Sequence, residues 1–251
     1  MSEILEVKNL KKDFYKGKTS FTAVDDISFS VKKGECLGLV GESGCGKSTA
    51  AKMITLLQKP DRGSILLNGQ DILKLKKNQR KNIYQDVQMI FQMPQDSFDP
   101  RRSLADGIME SLRNHGSSKA EAKKRLQELL AMVELEPELA GRYPHQVSGG
   151  QCQRAAIARA LAIQPSLLIC DEATSALDVT VQAQIVELLQ KLQRQMGLSL
   201  LLICHDLALV QKMCDRVLVM YEGKIVEEGL VDEVICRPQK EYTKRLVESV
   251  F

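Results

Sequence analysis

The chain has 251 residues, of which 44% are hydrophobic and 27% charged, and its formal net charge is +3. This composition excludes a disordered chain and suits one large domain, or a core carrying a subdomain. The weak positive bias does not point to nucleic acid. The basic run Lys74, Lys76, Lys77, Arg80 and Lys81 reads as a solvated helix face. No apolar run approaches the roughly 18 residues of a membrane span. The first residues, Met1 to Glu6, carry acids and lack the apolar stretch of a secretory leader. Any membrane role is therefore expected to come through a partner. Seven cysteines (Cys36, Cys45, Cys152, Cys170, Cys204, Cys214 and Cys236) form no C-x-x-C pair, and most lie in apolar runs. Buried, reduced thiols in a cytosolic protein are expected, not a disulfide or zinc framework.

In chain order, residues 4–10 and 27–31 alternate apolar and polar side chains, the pattern of half-buried antiparallel strands. Cys36 to Val40 is continuously apolar and predicts a buried strand entering a glycine-rich turn, with a helix over 47–57. Residues 93–162 change character. A helix is predicted over 117–133, with Ala122, Leu126, Leu129, Leu130 and Val133 on one face. Another is predicted to start near Ser148 and run to Ala162. Buried strands follow at 167–170 and 198–204, with a helix over 179–196 between them. Buried strands alternating with helices indicate a mostly parallel α/β sheet with a helical insertion.

Between the first buried strand and its helix lies Gly41-Glu42-Ser43-Gly44-Cys45-Gly46-Lys47-Ser48-Thr49, which fits G-x-x-x-x-G-K-[ST]. Glycines let the backbone approach a phosphate, and successive N–H groups with the helix N-terminus form an anion nest. Lys47 would neutralise the β- and γ-phosphates and the Ser48 hydroxyl would ligate Mg²⁺. The strand at 167–170 ends in Asp171-Glu172, suited to hold Mg²⁺ and to polarise an attacking water. Ser148-Gly149-Gly150-Gln151 offers a second anion site at a helix start. If the two glycine sites lie far apart, two chains placed head to tail can each contribute one to a shared ATP. Each feature also has a bland reading: a glycine turn, a pair of solvated acids, a helix cap.

The set together resembles ABC-type ATPases over essentially the whole chain. Gln92 after Ile90-Phe91 is similar to the Q-loop, Val147-Ser148-Gly149-Gly150-Gln151 to the signature, Asp171-Glu172 to the Walker B end, Ser175-Ala176-Leu177-Asp178 to the D-loop and His205 to the H-loop. Val147 stands where the family usually has Leu, and Cys152 where polar residues are common. The resemblance implies a P-loop NTPase (RecA-like) fold, with a mostly parallel core, an N-terminal antiparallel β subdomain and an inserted α-helical subdomain. It implies a single ABC ATPase domain over 1–251, with 1–92 and 163–251 as the core and 93–162 as the helical part. It implies ATP and Mg²⁺ as cofactors. Phe14, or alternatively Tyr15, would stack on adenine. Gln92 would sense Mg²⁺ and water, Glu172 would be base or water-positioning group, Asp178 would bridge a dimer, and His205 would contact the γ-phosphate. Phe14-Tyr15 and His205 also fit plain packing and structural roles.

Two further stretches narrow the resemblance. Phe91-Gln92-Met93-Pro94-Gln95-Asp96-Ser97-Phe98-Asp99-Pro100-Arg101 and Arg237-Pro238-Gln239-Lys240-Glu241-Tyr242-Thr243-Lys244-Arg245-Leu246 resemble importers of oligopeptides, dipeptides and nickel. Lys240-Glu241 replaces the usual His-Pro. The resemblance implies two membrane-spanning permease subunits, an extracytoplasmic substrate-binding protein, and a paralogous ATPase subunit or a second copy as dimer partner. The expected location is the cytoplasmic face of the cell membrane. No cysteine-bound iron–sulfur cluster is expected. An ATPase of a two-gene exporter is the alternative, and a soluble nucleic-acid ATPase would need tandem cassettes or a long coiled coil. Phe98 stands as either an exposed anchor for a membrane subunit or a plug of the insertion's own core.

Overall fold

The computed structural model describes residues 2–17, 19–76, 78–175 and 177–249. Lys77 of the basic run and Ala176 of the segment before Asp178 lie outside the described residues. The strands β1 (Glu3–Lys16) and β2 (Thr19–Lys32) pair antiparallel, Phe14 opposite Phe21. They run beyond the alternating stretches, since the hairpin end is largely exposed and its residues do not alternate apolar with polar. The next elements are β3 (Cys36–Val40) and α1 (Lys47–Ile54). β4 (Arg62–Leu67) and β5 (Gln70–Asp71) follow, joined at Asn68-Gly69, both with positive φ as a tight hairpin requires. These strands form a four-stranded sheet ordered β2-β1-β4-β5.

A short α2 (Arg80–Asp86) leads into β6 (Val87–Ile90). Three helices then occupy the central stretch: α3 (Leu104–Asn114), α4 (Lys119–Met132) and α5 (Gly149–Leu161). Ser118 and Glu121 form a reciprocal capping box at the start of α4, and Ala122, Leu126, Leu129 and Leu130 are its buried stripe. The helix α3, capped by the Ser103 hydroxyl, is not read from the sequence. Its buried face is only Leu104, Ile108 and Leu112.

The chain returns through β7 (Leu167–Asp171), α6 (Val179–Met196), β8 (Ser199–Cys204) and α7 (Leu207–Met213). It finishes with the hairpin β9 (Arg216–Tyr221) and β10 (Lys224–Leu230), then α8 (Val231–Cys236) and α9 (Glu241–Glu248). The larger sheet is ordered β10-β9-β3-β8-β7-β6, parallel throughout except for β10. Its central strands are buried on both faces, which is why they read as unbroken apolar runs. Alternate residues serve two cores. Leu37, Leu39, Ile169, Leu201 and Ile203 face the small sheet and α1, while Cys36, Val40, Cys170, Leu200 and Leu202 face α3 to α7. Among the described residues no helix is long and apolar enough to cross a membrane.

Glu35, just before β3, ties three elements together. Its carboxylate accepts from the Lys32 N–H at 2.6 Å and from Arg216 Nη1 at 2.8 Å, and the Arg216 guanidinium also reaches Glu228. Glu35 is 8% exposed, so Glu35→Ala strands a backbone donor and leaves a poorly solvated arginine with Glu228 alone. A loss of about 3 kcal/mol is expected in urea unfolding, with far less for Lys8→Ala, whose partner Glu6 lies at the surface.

Candidate functional site

The loop between β3 and α1 is squeezed between two backbones. A Cβ on Gly41 (φ +153°) would lie 2.1 Å from the Met220 carbonyl oxygen, and one on Gly46 (φ +111°) 2.1 Å from that of Ala23. Only glycine fits either place. The Gly223 N–H donates to the Cys45 carbonyl at 3.0 Å and closes the loop from below. Lys47 folds inward, 4% exposed, and its ammonium donates to the Gly41 and Glu42 carbonyls at 2.7 and 2.9 Å.

Opposite stands the end of β7. The Ser48 hydroxyl donates to Asp171 Oδ1 at 2.8 Å. Burial pushes the Asp171 carboxyl above the ordinary carboxylate range; the Ser48 hydrogen bond opposes this and the Glu172 charge adds to it. Glu172 holds a left-handed backbone (φ +48°), a conformation costing about 1 kcal/mol for such a residue, and its N–H donates to Ile203 at 2.9 Å. Its carbonyl accepts from the Ser175 hydroxyl at 3.0 Å, and the Ser175 oxygen accepts from Gln92 Nε2 at 3.3 Å. Gln92, at the end of β6, is thereby tied to the turn that carries Glu172.

Ser48, Glu172 and Gln92 border a hollow of about 290 Å³, and Asp171 stands beside it, bonded to Ser48. Ser43, Gly44, Gly46, Lys47, Ser48 and Thr49 form its floor, Gln92 and Glu172 one wall, and Phe14 and Phe21 the other. Tyr15 is 78% exposed and, one residue along the strand, faces away from Phe14. Of the two aromatic candidates, Phe14 is the one at the hollow. Phe21, its cross-strand neighbour, was not anticipated from sequence; an aromatic opposite another on a hairpin was the available signal.

The remaining candidates lie outside the hollow. Ser148 caps α5 in a reciprocal box, its hydroxyl accepting from the Gln151 N–H at 3.2 Å and its N–H donating to Gln151 Oε1 at 2.9 Å. The helix geometry leaves the Gly149 and Gly150 N–H groups without intrahelical partners. The glycines lie against the approach to α6, where a Cβ on Gly150 would meet Val181 Cγ1 at 2.5 Å. Asp178 caps α6 through the Val181 N–H at 3.0 Å. His205 follows β8, exposed, with no hydrogen bond or ion pair among the described residues.

Phe98 is interior. It is 5% exposed, lies under the Arg159 guanidinium at 4.3 Å, and blocks a Cβ on Gly107 at 2.7 Å. Arg159, from α5, also donates to the Ser97 carbonyl. The ring plugs the helical region's own core and is not an exposed anchor.

An ABC transporter family model matches residues 24–175. The oligopeptide transport ATP-binding protein OppF of Salmonella typhimurium is 47% identical over 247 residues, covering 98% of this chain and 74% of that one. The chain belongs to the ABC transporter family. OppF of Bacillus subtilis is 46% identical, with 99% and 82% covered. The glutathione import ATP-binding protein GsiA of Pectobacterium atrosepticum is 49% identical over 229 residues, 91% of this chain and 37% of that one. Among solved structures, the ATP-binding cassette MJ0796, dimeric and bound to ADP and Pi in a post-hydrolysis state, superposes with a TM-score of 0.81. Its identity is 30%, with 90% of this chain and 98% of that one covered. CbiO1 of Clostridium perfringens, part of the transporter complex cbiONQ, gives 0.83 at 29% identity over 94% and 92%. The fold is thus the P-loop ABC cassette, and this chain is an ATP-hydrolysing one.

The raised Asp171 carboxyl sets a pH test. Below the ordinary carboxylate value both folded and unfolded chains hold the proton, and the group contributes nothing. Above the raised folded value both are ionised, and the native state bears the full cost of burying the charge. Stability from this group therefore falls as pH rises through that window. Asp171→Asn is expected to raise the melting temperature of the nucleotide-free protein at neutral pH, with the advantage shrinking in acid. It is also expected to cut ATP turnover by about 100-fold or more. Calorimetry across pH, alongside phosphate release, checks both.

Proposed function

We propose that this chain is the ATPase subunit of a peptide importer. In this reading it works with two membrane-spanning permease subunits, at the cytoplasmic face of the cell membrane, in a system served by an extracytoplasmic substrate-binding protein. The gathering of Lys47, Ser48 and Glu172 at one hollow with an aromatic wall, with Asp171 bonded to Ser48 beside it, carries the ATPase part. The similarity to proteins named for oligopeptide transport and glutathione import supports peptides over nickel, and import over a two-gene exporter.

In this reading Phe14 stacks on adenine and Phe21 borders the same wall. The loop N–H groups and Lys47 hold the phosphates. Ser48 and Asp171 fit a cation, being two oxygen donors 2.8 Å apart, one of them a carboxylate whose burial leaves its charge poorly compensated. Mg²⁺ held there supplies charge neutralisation to the β- and γ-phosphates. Glu172 positions or deprotonates the attacking water, and His205 contacts the γ-phosphate. Gln92 reports on the site.

Ser148, Gly149 and Gly150 line no part of the hollow, and at their helix start Ser148 is exposed, Gly149 half-buried and Gly150 buried. We infer that they complete the site of a second cassette, a paralogue or a copy of this chain, with Asp178 at the junction. Residues 93–162 act as the helical subdomain on the core of 1–92 and 163–251. Arg159 links the signature helix to Ser97, so that subdomain moves with the segment next to Gln92 when the γ-phosphate comes and goes.

Lys47→Ala is expected to weaken ATP binding by about 2–5 kcal/mol, the scale of a truncated desolvated charge contact. Glu172→Gln is expected to keep binding, lose turnover, and gain mass with ATP in light scattering, alone or with its paralogue. Constant mass with both would refute the shared site. Uptake of labelled peptide by the assembled transporter tests the substrate class.

A further inference from the structure

The peptide unit joining Gly41 to Glu42 is held at both ends. Its carbonyl, on Gly41, accepts from the Lys47 ammonium at 2.7 Å. Its N–H, on Glu42, donates to the Tyr242 phenol oxygen at 3.0 Å, from a residue 200 positions later in the chain. A peptide unit is planar and rigid, so it cannot tilt its carbonyl without tilting its N–H. The phenol of Tyr242 and the ammonium of Lys47 are therefore mechanically connected through one plane.

The phenol is itself fixed. Its ring lies on that of Tyr221, with centroids 4.2 Å apart and a 34° tilt. The next residue, Thr243, is fully buried. Glu227 of β10 accepts from the Gln239 and Lys240 N–H groups at 2.8 and 3.1 Å and sets the entry to α9. Leu246 and Val247 pack on the larger core. Burial pushes the Tyr242 phenol above its ordinary value, so it is neutral at physiological pH.

We propose that Tyr242 is a positioning residue for Lys47: by clamping the Gly41–Glu42 peptide it fixes the carbonyl that aims the lysine ammonium at the nucleotide phosphates. The C-terminal helix α9 thereby sets ATP affinity from outside the loop. This rests on the reading of Lys47 as the phosphate-binding lysine. The alternative role for Tyr242 is packing alone, on Tyr221 and the core. The two roles separate cleanly, because Tyr242→Phe keeps the ring and removes only the oxygen. The Glu42 residue is exposed, so water replaces the lost bond for stability but not for orientation.

The test uses the full chain and three proteins: parent, Tyr242→Phe and Lys47→Ala. ATP affinity is measured by titration calorimetry in magnesium-free buffer, where no turnover occurs. The melting temperature is measured without nucleotide, and kcat and KM with magnesium. Tyr242→Phe is expected to weaken ATP binding and raise KM by about three- to tenfold, the scale of one hydrogen bond. Its kcat at saturating ATP is expected to stay within about twofold, since bound phosphates then hold the loop, and its melting temperature within about 2 °C of the parent. Unchanged affinity and KM in Tyr242→Phe, with binding lost in Lys47→Ala, would overturn the clamp alone. A lower melting temperature with unchanged affinity would assign Tyr242 to packing and overturn it likewise. Retained binding in Lys47→Ala would overturn the phosphate-site reading, and the clamp with it.

Discussion

Close approach of three backbones shapes this molecule around its phosphate loop. The loop is wedged between Ala23 on the small antiparallel sheet and Met220 on the large parallel one, with no room for a side chain at Gly46 or Gly41. Gly223, in the turn between β9 and β10, bonds to Cys45 and also accepts from Asp25 on the small sheet at 2.8 Å. The loop is therefore the joint between the sheets as well as the phosphate cradle. A nest of N–H groups binds phosphate well only if it is formed in advance, because ordering it on binding would cost backbone entropy. Packing from both sheets supplies that order before any ligand arrives.

The charges of the site are left unfinished. Lys47 bonds to neutral carbonyls, and Asp171 is buried against a neutral hydroxyl. Among the described residues neither has a direct ion pair, in contrast with Glu35, which meets Arg216. Lys47 and Lys52 offset the buried Asp171 charge only from a distance, and burial still raises its carboxyl. A polyphosphate with a divalent cation answers both at once. The stability given up in the empty state reappears as affinity, the usual relation between strained sites and their ligands.

The arrangement around the hollow also explains how chemistry could be read at a distance. Gln92 bonds to Ser175, which bonds to the Glu172 carbonyl, so a shift of the turn carrying Glu172 reaches the end of β6 through two hydrogen bonds. Past Gln92, the chain meets Arg159 at Ser97 and Phe98, and Arg159 belongs to the helix that begins at the signature glycines. The phosphate loop's hollow and the start of α5 are thus joined by contiguous contacts within one chain.

The strands β3, β7 and β8 were legible by themselves because burial on both faces forces an unbroken apolar run, and α4, α5 and α6 because caps and periodicity agree. The loop, the acids after β7 and the Ser148 segment stand out in the sequence because phosphate chemistry needs those residue types at short, fixed spacing. The hairpin β9–β10 and the helix α3 were not read, although Val217 to Met220 is as apolar as the strands that were. Sequence left Phe14 and Tyr15 undecided, since period-two alternation says that they face opposite ways but not which way the site lies. It left Phe98 undecided for the same reason: an aromatic in a polar loop looks alike whether it is covered or bare until Arg159, 61 positions away, is laid over it. The bond from Tyr242 to Glu42 had no local signal at all. Short-range spacing is dictated by covalent geometry and is written in the chain; contacts across 200 residues exist only once two cores have closed and brought their edges together.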